Sequence, residues 1–400
     1  MTAIKAPPPA IGPGGRIFIF GFLSAIAPLS IDIYLPALPS MRAALAANEA
    51  QTLYTLSTFF IGFGGGQLLF GPLTDRFGRK RPLLCALAVY IAASAGCAVA
   101  PSITMLILFR FIQALGGAIV PITVQAMVRD LYARNESARI LSLNLLVTAS
   151  APIVAPLIGG QILLWLDWRY IFWVLVAFGG LAFIAALVLP ETLAAARRSA
   201  AHPLALLLGY AALLRNRRYL GYVACSTSYF SCLFAFIAGS PFVYIEYFGV
   251  PAQFYGFLFG VNMIGMITTT FVNSRIVMRR GADPLLRTAC TIGAAASLVV
   301  LATGVTGFAG VPGIAVPLFV VLSLLTMVAS NSISGALAVA PNAGAAAALA
   351  GALQFGGGAF ISAATGWLAD GTPRPMTAII CAGAVLSLAA NLVLLRKKRD

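Results

Sequence analysis

The chain has 400 residues, of which 60% are apolar and only 9% are charged, and its mean hydropathy is +0.95. A soluble domain of this size normally carries about a quarter charged residues, so too few polar side chains remain here to cover a surface that faces water. The formal net charge of +15 would suit a nucleic-acid-binding protein, and the placement of the basic residues along the chain has to decide that question.

The apolar residues form long blocks, many of which reach the roughly 20 residues that a helix needs to cross a bilayer. Divided at charged or Gly/Pro-rich breaks, the chain contains twelve candidate spanning helices. They cover roughly 17–38, 53–73, 83–100, 103–131, 138–164, 170–190, 219–246, 253–277, 285–308, 312–335, 343–368 and 375–395. We therefore predict an all-α integral membrane protein.

The longest polar segment divides these helices into six and six. We predict an N-terminal six-helix bundle at 17–190 and a C-terminal six-helix bundle at 219–395, joined by the basic cytoplasmic linker 191–218. Residues 1–16 are rich in proline and glycine and predict a disordered cytoplasmic tail, and 396–400 predict a short basic tail. Short, Arg-rich loops recur at corresponding positions of the two halves, which is typical of transporters built from two parallel repeats.

The basic residues test the number of helices. If the N-terminus is cytoplasmic, 22 of the 26 basic residues fall in cytoplasmic segments, and only Arg42, Arg169 and Arg374 fall in outer segments. This asymmetry follows the positive-inside rule, and an error of one helix in the middle of the chain would destroy it. We therefore predict twelve spans of the inner (plasma) membrane with both termini in the cytoplasm. The basic charge reports topology, so we predict no nucleic-acid partner.

Residues typical of catalytic or metal sites are scarce. The single histidine, His202, lies in the linker, and the six cysteines lack the spacing of metal ligands and are expected to be small buried hydrophobic residues. No Walker-type phosphate loop is present, so ATP is not the expected energy source. A membrane enzyme or a channel is the alternative from another class, but neither clustered catalytic residues nor a repeated pore motif is found. We predict a secondary transporter with no metal, nucleotide or prosthetic group.

Two charged residues fall well inside the predicted helices. Asp32 is the only such residue among eleven acidic ones, and Arg110 is the only one among 26 basic ones. With a rise of about 1.5 Å per residue, both lie about 8 to 10 Å from the outer edge of a core about 30 Å thick. A charge within a membrane is costly and usually faces a cavity or a partner, so both are candidates for proton coupling. The alternative is a static pair or network that only holds helices together.

The surroundings of Asp32 contain further polar features. Pro28 and Pro36 lie one turn to either side of Asp32, and each can free a backbone carbonyl near the carboxylate or merely curve the helix. Six other polar residues within the helices are candidates for a substrate cavity, although hydrogen bonding between helices is the ordinary role of such residues. They are Tyr34, Gln113, Tyr229, Asn262, Asn331 and Gln354.

The loop after the second predicted helix reads GPLTDRFGRKRP, residues 71–82. Asp75 can pair with a basic residue or cap a helix, and Gly71 allows a close contact between helices. As a string, the loop closely resembles the G-x-L-x-D-R-x-G-R-[RK] signature of the major facilitator superfamily. The matching residues are Gly71, Leu73, Asp75, Arg76, Gly78, Arg79 and Lys80. The resemblance implies a gating loop that breaks and re-forms contacts as two halves rock.

Two further motifs resemble those of drug:proton antiporters in that superfamily. RFIQALGGA, which begins at Arg110, resembles a motif of the fourth helix, and its arginine is the matching residue. APLIGG, residues 155–160, is similar to the G-P-x-x-G-G motif of the fifth helix, with alanine in place of the first glycine. The matching residues of this second motif are Pro156, Gly159 and Gly160.

The resemblance extends to one branch of the superfamily. SIDIYLPALPSM, residues 30–41, and SPFVYIEYFGV, residues 240–250, resemble the bicyclomycin-resistance (Bcr/CflA) branch, whose relatives export chloramphenicol and florfenicol. This implies a monomeric, proton-coupled exporter of drug-like molecules that works by alternating access. It also implies that Asp32 carries the coupling proton and that Arg110 handles protons or substrate. The alternative within transport is a proton-coupled carrier of a metabolite such as a sugar, amino acid or siderophore.

Overall fold

The structure is a computed structural model that describes residues 12–194, 196, 198, 210–341 and 343–395. Within these residues, twelve helices are long and apolar enough to cross a membrane, which confirms their predicted number and order. They are α1 (Gly14–Ala44), α2 (Glu49–Phe77), α3 (Lys80–Ala98), α4 (Ile103–Leu131), α5 (Arg134–Trp165), α6 (Arg169–Leu187), α7 (Arg217–Tyr247), α8 (Ala252–Arg280), α9 (Ala282–Thr306), α10 (Gly310–Ala338), α11 (Gly344–Trp367) and α12 (Arg374–Leu394).

Parts of the predicted organisation lie outside the described residues. Residues 1–11 belong to the predicted N-terminal tail, and 396–400 are the whole of the predicted basic tail. Part of the linker between α6 and α7 also lies outside, including His202. The boundaries of these three segments therefore remain predictions.

Several helices begin earlier than hydropathy predicts because their first turns are polar. The segment predicted from 53 begins at Glu49, where a capping box closes the first turn of α2. In that box, the Asn48 side chain accepts a hydrogen bond from the Gln51 N–H, and the Gln51 side chain accepts one from the Asn48 N–H. Polar caps of this kind satisfy backbone donors, but they lower the local hydropathy from which the helix was predicted.

The first helix is interrupted beside Asp32. Its α-helical pieces end at Ser24 and Asp32, and a 3-10 turn, Leu35–Ala37, precedes a last α-helical piece, Leu38–Ala44. Pro36 accounts for the second interruption, because its nitrogen has no hydrogen to donate to the carbonyl of Asp32 four residues earlier. The break therefore puts unpaired backbone next to an intramembrane carboxylate.

The twelve helices form two bundles, the N half (α1–α6) and the C half (α7–α12). Helix α4 packs against α2 and α3 in the N half, and α12 packs against α7 and α9 in the C half. Between the halves, α2 packs against α11, and α5 packs against α8. A Cβ atom at Gly64 would lie 2.9 Å from the Cβ of Phe355, and one at Gly256 would lie 2.7 Å from the backbone nitrogen of Leu157. Small residues therefore allow the halves to approach closely at both helix pairs.

The two ends of the molecule differ in charge and in contacts. The basic end carries the Arg-rich loops α2–α3, α4–α5 and α8–α9, and we call the other end the opposite end. At the opposite end, polar contacts join the halves. The indole Nε1 of Trp367 donates to the hydroxyl of Tyr54 at 2.6 Å, and Arg42 forms an ion pair with Glu246 at 2.9 Å. The halves are thus closed against each other at this end.

The cysteines are distributed through both halves. Five of the six are buried, as expected for small hydrophobic side chains, whereas Cys85 on α3 is exposed. The expectation of burial is wrong for Cys85, because the outer face of a membrane bundle is itself apolar and accepts a thiol without protein contacts.

The contact between α5 and α8 can be tested with one methyl group. At Gly160, a Cβ atom would lie 2.7 Å from the carbonyl oxygen of Ala252 on α8, so the backbone of Gly160→Ala has to shift. We expect this variant to lose about 1–3 kcal/mol of stability, which lowers the Tm of the purified protein. Gly180→Ala on α6 is the matched control, since nothing lies within 4 Å of that position. Equal Tm values for the two variants would contradict a tight α5–α8 contact.

Candidate functional site

Asp32 is a buried carboxylate at the contact between the two halves. It ends the second helical piece of α1, and only 4% of the residue is exposed. In the described part of the chain, no hydrogen bond or ion pair reaches its carboxylate oxygens. The 3-10 turn that follows, Leu35–Ala37, packs against α7 and α8. The carboxylate therefore belongs to the N half and lies just before a turn that contacts the C half.

Arg110 is fully buried in α4, and no acidic residue in the described part of the chain pairs with it. The carbon of its guanidinium lies 4.2 Å from the ring centre of Tyr34 and 4.3 Å from that of Phe59. Its Nη1 donates to the carbonyl oxygen of Ser30 at 3.0 Å and to Oε1 of Gln113 at 2.6 Å. Its Nε and Nη2 have no hydrogen-bond partner among the described residues. Aromatic faces and neutral acceptors thus stabilise this charge.

A chain of hydrogen bonds fixes the orientation of the Gln113 amide. The Nε2 of Gln113 donates to Oγ of Ser94 on α3 at 2.7 Å, and Ser94 donates to the carbonyl of Tyr90 at 2.7 Å. The hydroxyl of Tyr90 lies 2.7 Å from that of Ser30 on α1. Because Ser94 receives the amide N–H, the amide oxygen of Gln113 faces Arg110. Sequence reasoning did not single out Ser94 or Tyr90.

Asp32 and Arg110 do not form an ion pair in the described part of the structure. The guanidinium donates to the carbonyl of Ser30, which lies two residues before Asp32. Arg110 of α4 therefore contacts the turn of α1 that contains Asp32. A direct pair would favour the charged carboxylate and oppose its protonation. An unpaired carboxylate with so little exposure is costly in its charged form.

Two of the six cavity candidates, Tyr34 and Gln113, belong to the cluster around Arg110. Both are fully buried, and the hydroxyl of Tyr34 also lies 3.3 Å from that of Thr55 on α2. These two residues therefore help to hold the guanidinium between α1, α2 and α4.

The other four cavity candidates lie in the C half, away from that cluster. Three of them bond to neighbouring helices, and one bonds within its own helix. The contacts run from Tyr229 to the Val321 carbonyl at 2.9 Å, from Gln354 to Ser226 at 2.8 Å, from Asn331 to Asn273 at 3.0 Å, and from Asn262 to the Leu258 carbonyl at 2.8 Å. The buried Oδ1 of Asn262 has no partner in the described residues. The structure thus does not gather the six candidates into one cluster.

The gating loop is attached to α4 through Arg79. Its Nη1 lies 2.6 Å from Oδ1 of Asp75, and its Nε lies 3.4 Å from Oδ2 of Asp130 near the end of α4. The same Nη1 donates to the hydroxyl of Thr74 at 2.9 Å. Arg79 therefore links the end of α2 to the end of α4 within the N half.

Glu191 holds the backbone of the same loop. It accepts hydrogen bonds from the N–H groups of Arg79 at 2.9 Å, Lys80 at 3.1 Å and Leu193 at 3.0 Å. Burial raises the pKa of Glu191, but these N–H donors and the charge of Arg198 together outweigh it and hold the pKa below its ordinary value of 4.5. Gly78 has a φ of +90°, and a Cβ atom there would collide with the Glu191 carboxylate. Sequence reasoning missed Glu191 and its role in the turn.

Arg76 and Lys80 of the gating loop make contacts near the ends of α2 and α6. The guanidinium of Arg76 lies 5.4 Å from the ring centre of Phe77, and Nζ of Lys80 donates to the carbonyl of Leu187 at 2.6 Å. At Gly71, an added Cβ atom would meet nothing within 4 Å, so the close helix contact expected there is absent. In this structure the loop contacts found among the described residues stay within the N half and the first residues of the linker.

The glycines of the α5 motif lie against both α1 and the C half. A Cβ atom at Gly159 would collide with the carbonyl oxygen of Ile33, the residue that follows Asp32. Gly160 faces the backbone of Ala252 on α8, and Pro156 lies within the helix just before both glycines. The motif therefore packs α5 against the break in α1 and against the other half at adjacent positions.

Comparison with known proteins adds to this geometry. A family model described as the Major Facilitator Superfamily matches residues 20–363. The bicyclomycin resistance protein homolog of Haemophilus influenzae is 32% identical over 379 residues, which cover 94% of each chain. The chloramphenicol resistance protein of Pseudomonas aeruginosa is 32% identical over 326 residues, which cover 79% of this chain and 73% of that protein.

A solved structure, that of a D-xylose-proton symporter, has a similar fold. The match has a TM-score of 0.76 at 14% sequence identity, and it covers 96% of this chain and 97% of that one. At this identity, the likeness concerns the fold alone. It agrees with the arrangement of twelve helices in two bundles.

The role of Glu191 in the gating loop predicts a pH-dependent effect. A lowered pKa means that the ionised carboxylate stabilises the folded loop, and this contribution is lost as the pH falls through the lowered pKa, below 4.5. At pH 7, we expect Glu191→Gln to speed amide hydrogen exchange at Arg79 and Lys80 severalfold, because the ionised acceptor is gone. At a pH below the lowered pKa of Glu191, where the wild-type carboxylate is protonated, the variant and the wild type should exchange alike.

The matched control for this measurement is Asp167→Asn. Asp167 accepts a hydrogen bond from the backbone N–H of Arg169 at the opposite end, so its substitution should leave exchange in the gating loop unchanged. If Glu191→Gln also left the exchange of the Arg79 amide unchanged at pH 7, the proposed hold of this carboxylate on the loop would be wrong.

Proposed function

The chain belongs to the major facilitator superfamily, and we propose that it exports drug-like molecules in exchange for protons by alternating access. Two relatives that match most of its length carry the names of resistance to bicyclomycin and to chloramphenicol. The basic loops favour an orientation in which the basic end and both termini face the cytoplasm. The protein would then act as a monomer in the inner membrane, with protons and a drug as its partners.

The observation that carries the proposal is the unpaired carboxylate of Asp32 between the two halves. When the site faces the outside, Asp32 takes a proton from water and the drug leaves. When the site faces the cytoplasm, the proton leaves Asp32 to water and a drug enters. The carboxylate is suited to this because no hydrogen bond or ion pair from the described residues holds its charged form, so small changes in solvation alter its proton affinity.

Arg110 supplies a fixed positive charge beside the proton site. Its guanidinium is held between Tyr34 and Phe59 and by the oriented amide of Gln113, so the charge stays in place while Asp32 gains or loses a proton. Burial favours the protonated form of Asp32, and contact with water favours the ionised form. The balance between the two depends on how the halves enclose Asp32.

The contacts at the basic end support a gating role for the α2–α3 loop. The ion pairs of Arg79 with Asp75 and Asp130 are confined to the N half here, whereas the halves meet at the opposite end. In a transporter that works by alternating access, the loop would gain contacts with the C half when the basic end closes. Its Arg-rich sequence suits an exchange of ion pairs at a water-accessible surface.

Transport by reconstituted protein tests the proposal. In proteoliposomes, we expect the wild type to accumulate chloramphenicol uphill on a pH gradient. Asp32→Asn should accumulate no more than protein-free liposomes, because an amide cannot carry the proton. The same variant should still exchange labelled for unlabelled drug without a gradient, since that exchange needs no net proton transfer. Uphill pumping by Asp32→Asn would show that the proton is carried elsewhere.

The control for this experiment is Asp167→Asn, which removes a carboxylate at the opposite end and should pump like the wild type. Drug-susceptibility and nutrient-uptake assays in cells distinguish export of drugs from transport of a metabolite. If loss of Asp32 abolished accumulation of a nutrient and left drug tolerance unchanged, the metabolite carrier would replace the drug exporter as the function.

A further inference from the structure

Three charged side chains meet at the opposite end of the molecule. Arg42 lies in the last piece of α1, Glu49 begins α2, and Glu246 lies near the end of α7. The Nη2 of Arg42 lies 2.9 Å from Oε2 of Glu246, and its Nη1 lies 4.0 Å from Oε2 of Glu49. One guanidinium is therefore shared by two carboxylates, one from each half.

The two ion pairs of Arg42 differ in one essential respect. Among the ion pairs between described residues, only the pair with Glu246 crosses from one half to the other. Glu49 belongs to the same half as Arg42 and is separated from it only by the short α1–α2 connection. Movement of the halves apart at this end would break the first pair and leave the second within reach.

Both carboxylates lie on ordered helical turns. Glu246 lies in a π-helical segment, Phe242–Tyr247, that follows the α-helical part of α7, and the ring centre of Phe242 lies 5.7 Å from the guanidinium of Arg42. Such wide turns are rare and are frequent at functional sites. Glu49 lies in the turn that the capping box of Asn48 closes. The positions of both acceptors are thus set by helix geometry.

The surroundings of the pair allow it to open and close. The side chains of Arg42 and Glu246 are 35% and 30% exposed, and partly exposed ion pairs of this kind are weak. A cavity of about 320 Å³ is lined by Glu49 and Glu246 together with the hydroxyl residues Thr365 and Thr372. It is large and polar enough for water to solvate a carboxylate that has lost its partner.

We propose that Arg42 is a gating residue that exchanges partners during transport. It pairs with Glu246 when the opposite end is closed, and it pairs with Glu49 when the halves separate there. The guanidinium keeps a carboxylate partner in both states, so opening does not leave a cation unpaired. The two glutamates therefore act in opposite directions, Glu246 favouring closure and Glu49 favouring opening. The proposal goes beyond the proposed function, since it concerns the movement of the halves and uses neither the proton nor the drug.

Distances between spin labels at the opposite end test this exchange. The labels are placed at Trp165→Cys in the N half and Phe308→Cys in the C half, which are 85% and 72% exposed, with the exposed Cys85 replaced by alanine. We expect Glu246→Gln to raise the ratio of open to closed populations about two- to fivefold, as the loss of one exposed pair would. Adding Glu49→Gln to that variant should lower the ratio again, because the competing partner is now also lost.

Asp167→Asn is the matched control, since the Asp167–Arg169 pair lies at the same end but within the N half. It should leave the distances unchanged. Any other pattern overturns the proposal, including no opening in Glu246→Gln or further opening when Glu49→Gln is added. The measurement needs no substrate and no gradient, so its result is independent of whether the protein exports drugs.

Discussion

A carboxylate buried in a membrane without a counter-ion is costly. Two features around Asp32, the break in α1 and the partners of Arg110, affect that cost. Pro36 interrupts α1 immediately after the carboxylate, so the residue lies at a helix end and not within a continuous helix. The other intramembrane charge, Arg110, is held by Gln113 and by aromatic rings instead of by Asp32. A direct pair would lower the cost of both charges, but it would also stabilise the ionised carboxylate and oppose proton exchange. Keeping them apart leaves Asp32 responsive to its surroundings.

The same break in α1 is in contact with the surfaces along which the halves meet. Gly159 of α5 packs under the carbonyl of Ile33, one residue beyond Asp32, and the adjacent Gly160 packs against Ala252 of α8. A close-packed contact of this kind transmits small displacements because there is no free space between the atoms to absorb them. A change in solvation or charge at Asp32 is thereby linked, through two adjacent glycines, to the contact between the halves.

The number of helices and the two intramembrane charges could be predicted from sequence because they are local properties. An Asp32 or an Arg110 within an apolar block is visible without any knowledge of its neighbours. The start of α2 was missed because its capping turn is polar. Polarity also does not indicate which way a side chain faces. For this reason, Tyr229 and Tyr34 were both predicted to line the cavity, although of these two tyrosines only Tyr34 lies against Arg110.

Contacts between distant parts of the chain could not be predicted in this way. Glu191 holds the N–H of Arg79, 112 residues earlier, and nothing in its own segment distinguishes it from a glutamate that ends a helix. Ser94 orients Gln113, yet in sequence it is one serine among many that bond only within their own helices, such as Ser297. The same holds for the pairing of Arg42 with Glu246, which needs the two halves to be brought together.

The claim that drug and proton compete through Asp32 can be measured directly in a weakly buffered solution of purified protein. Chloramphenicol is added, and the protons released are followed with a pH indicator at a pH where Asp32 is partly protonated. The account predicts that the wild type releases protons as the drug binds and that Asp32→Asn binds the drug without releasing them. Equal proton release by the two proteins would contradict it.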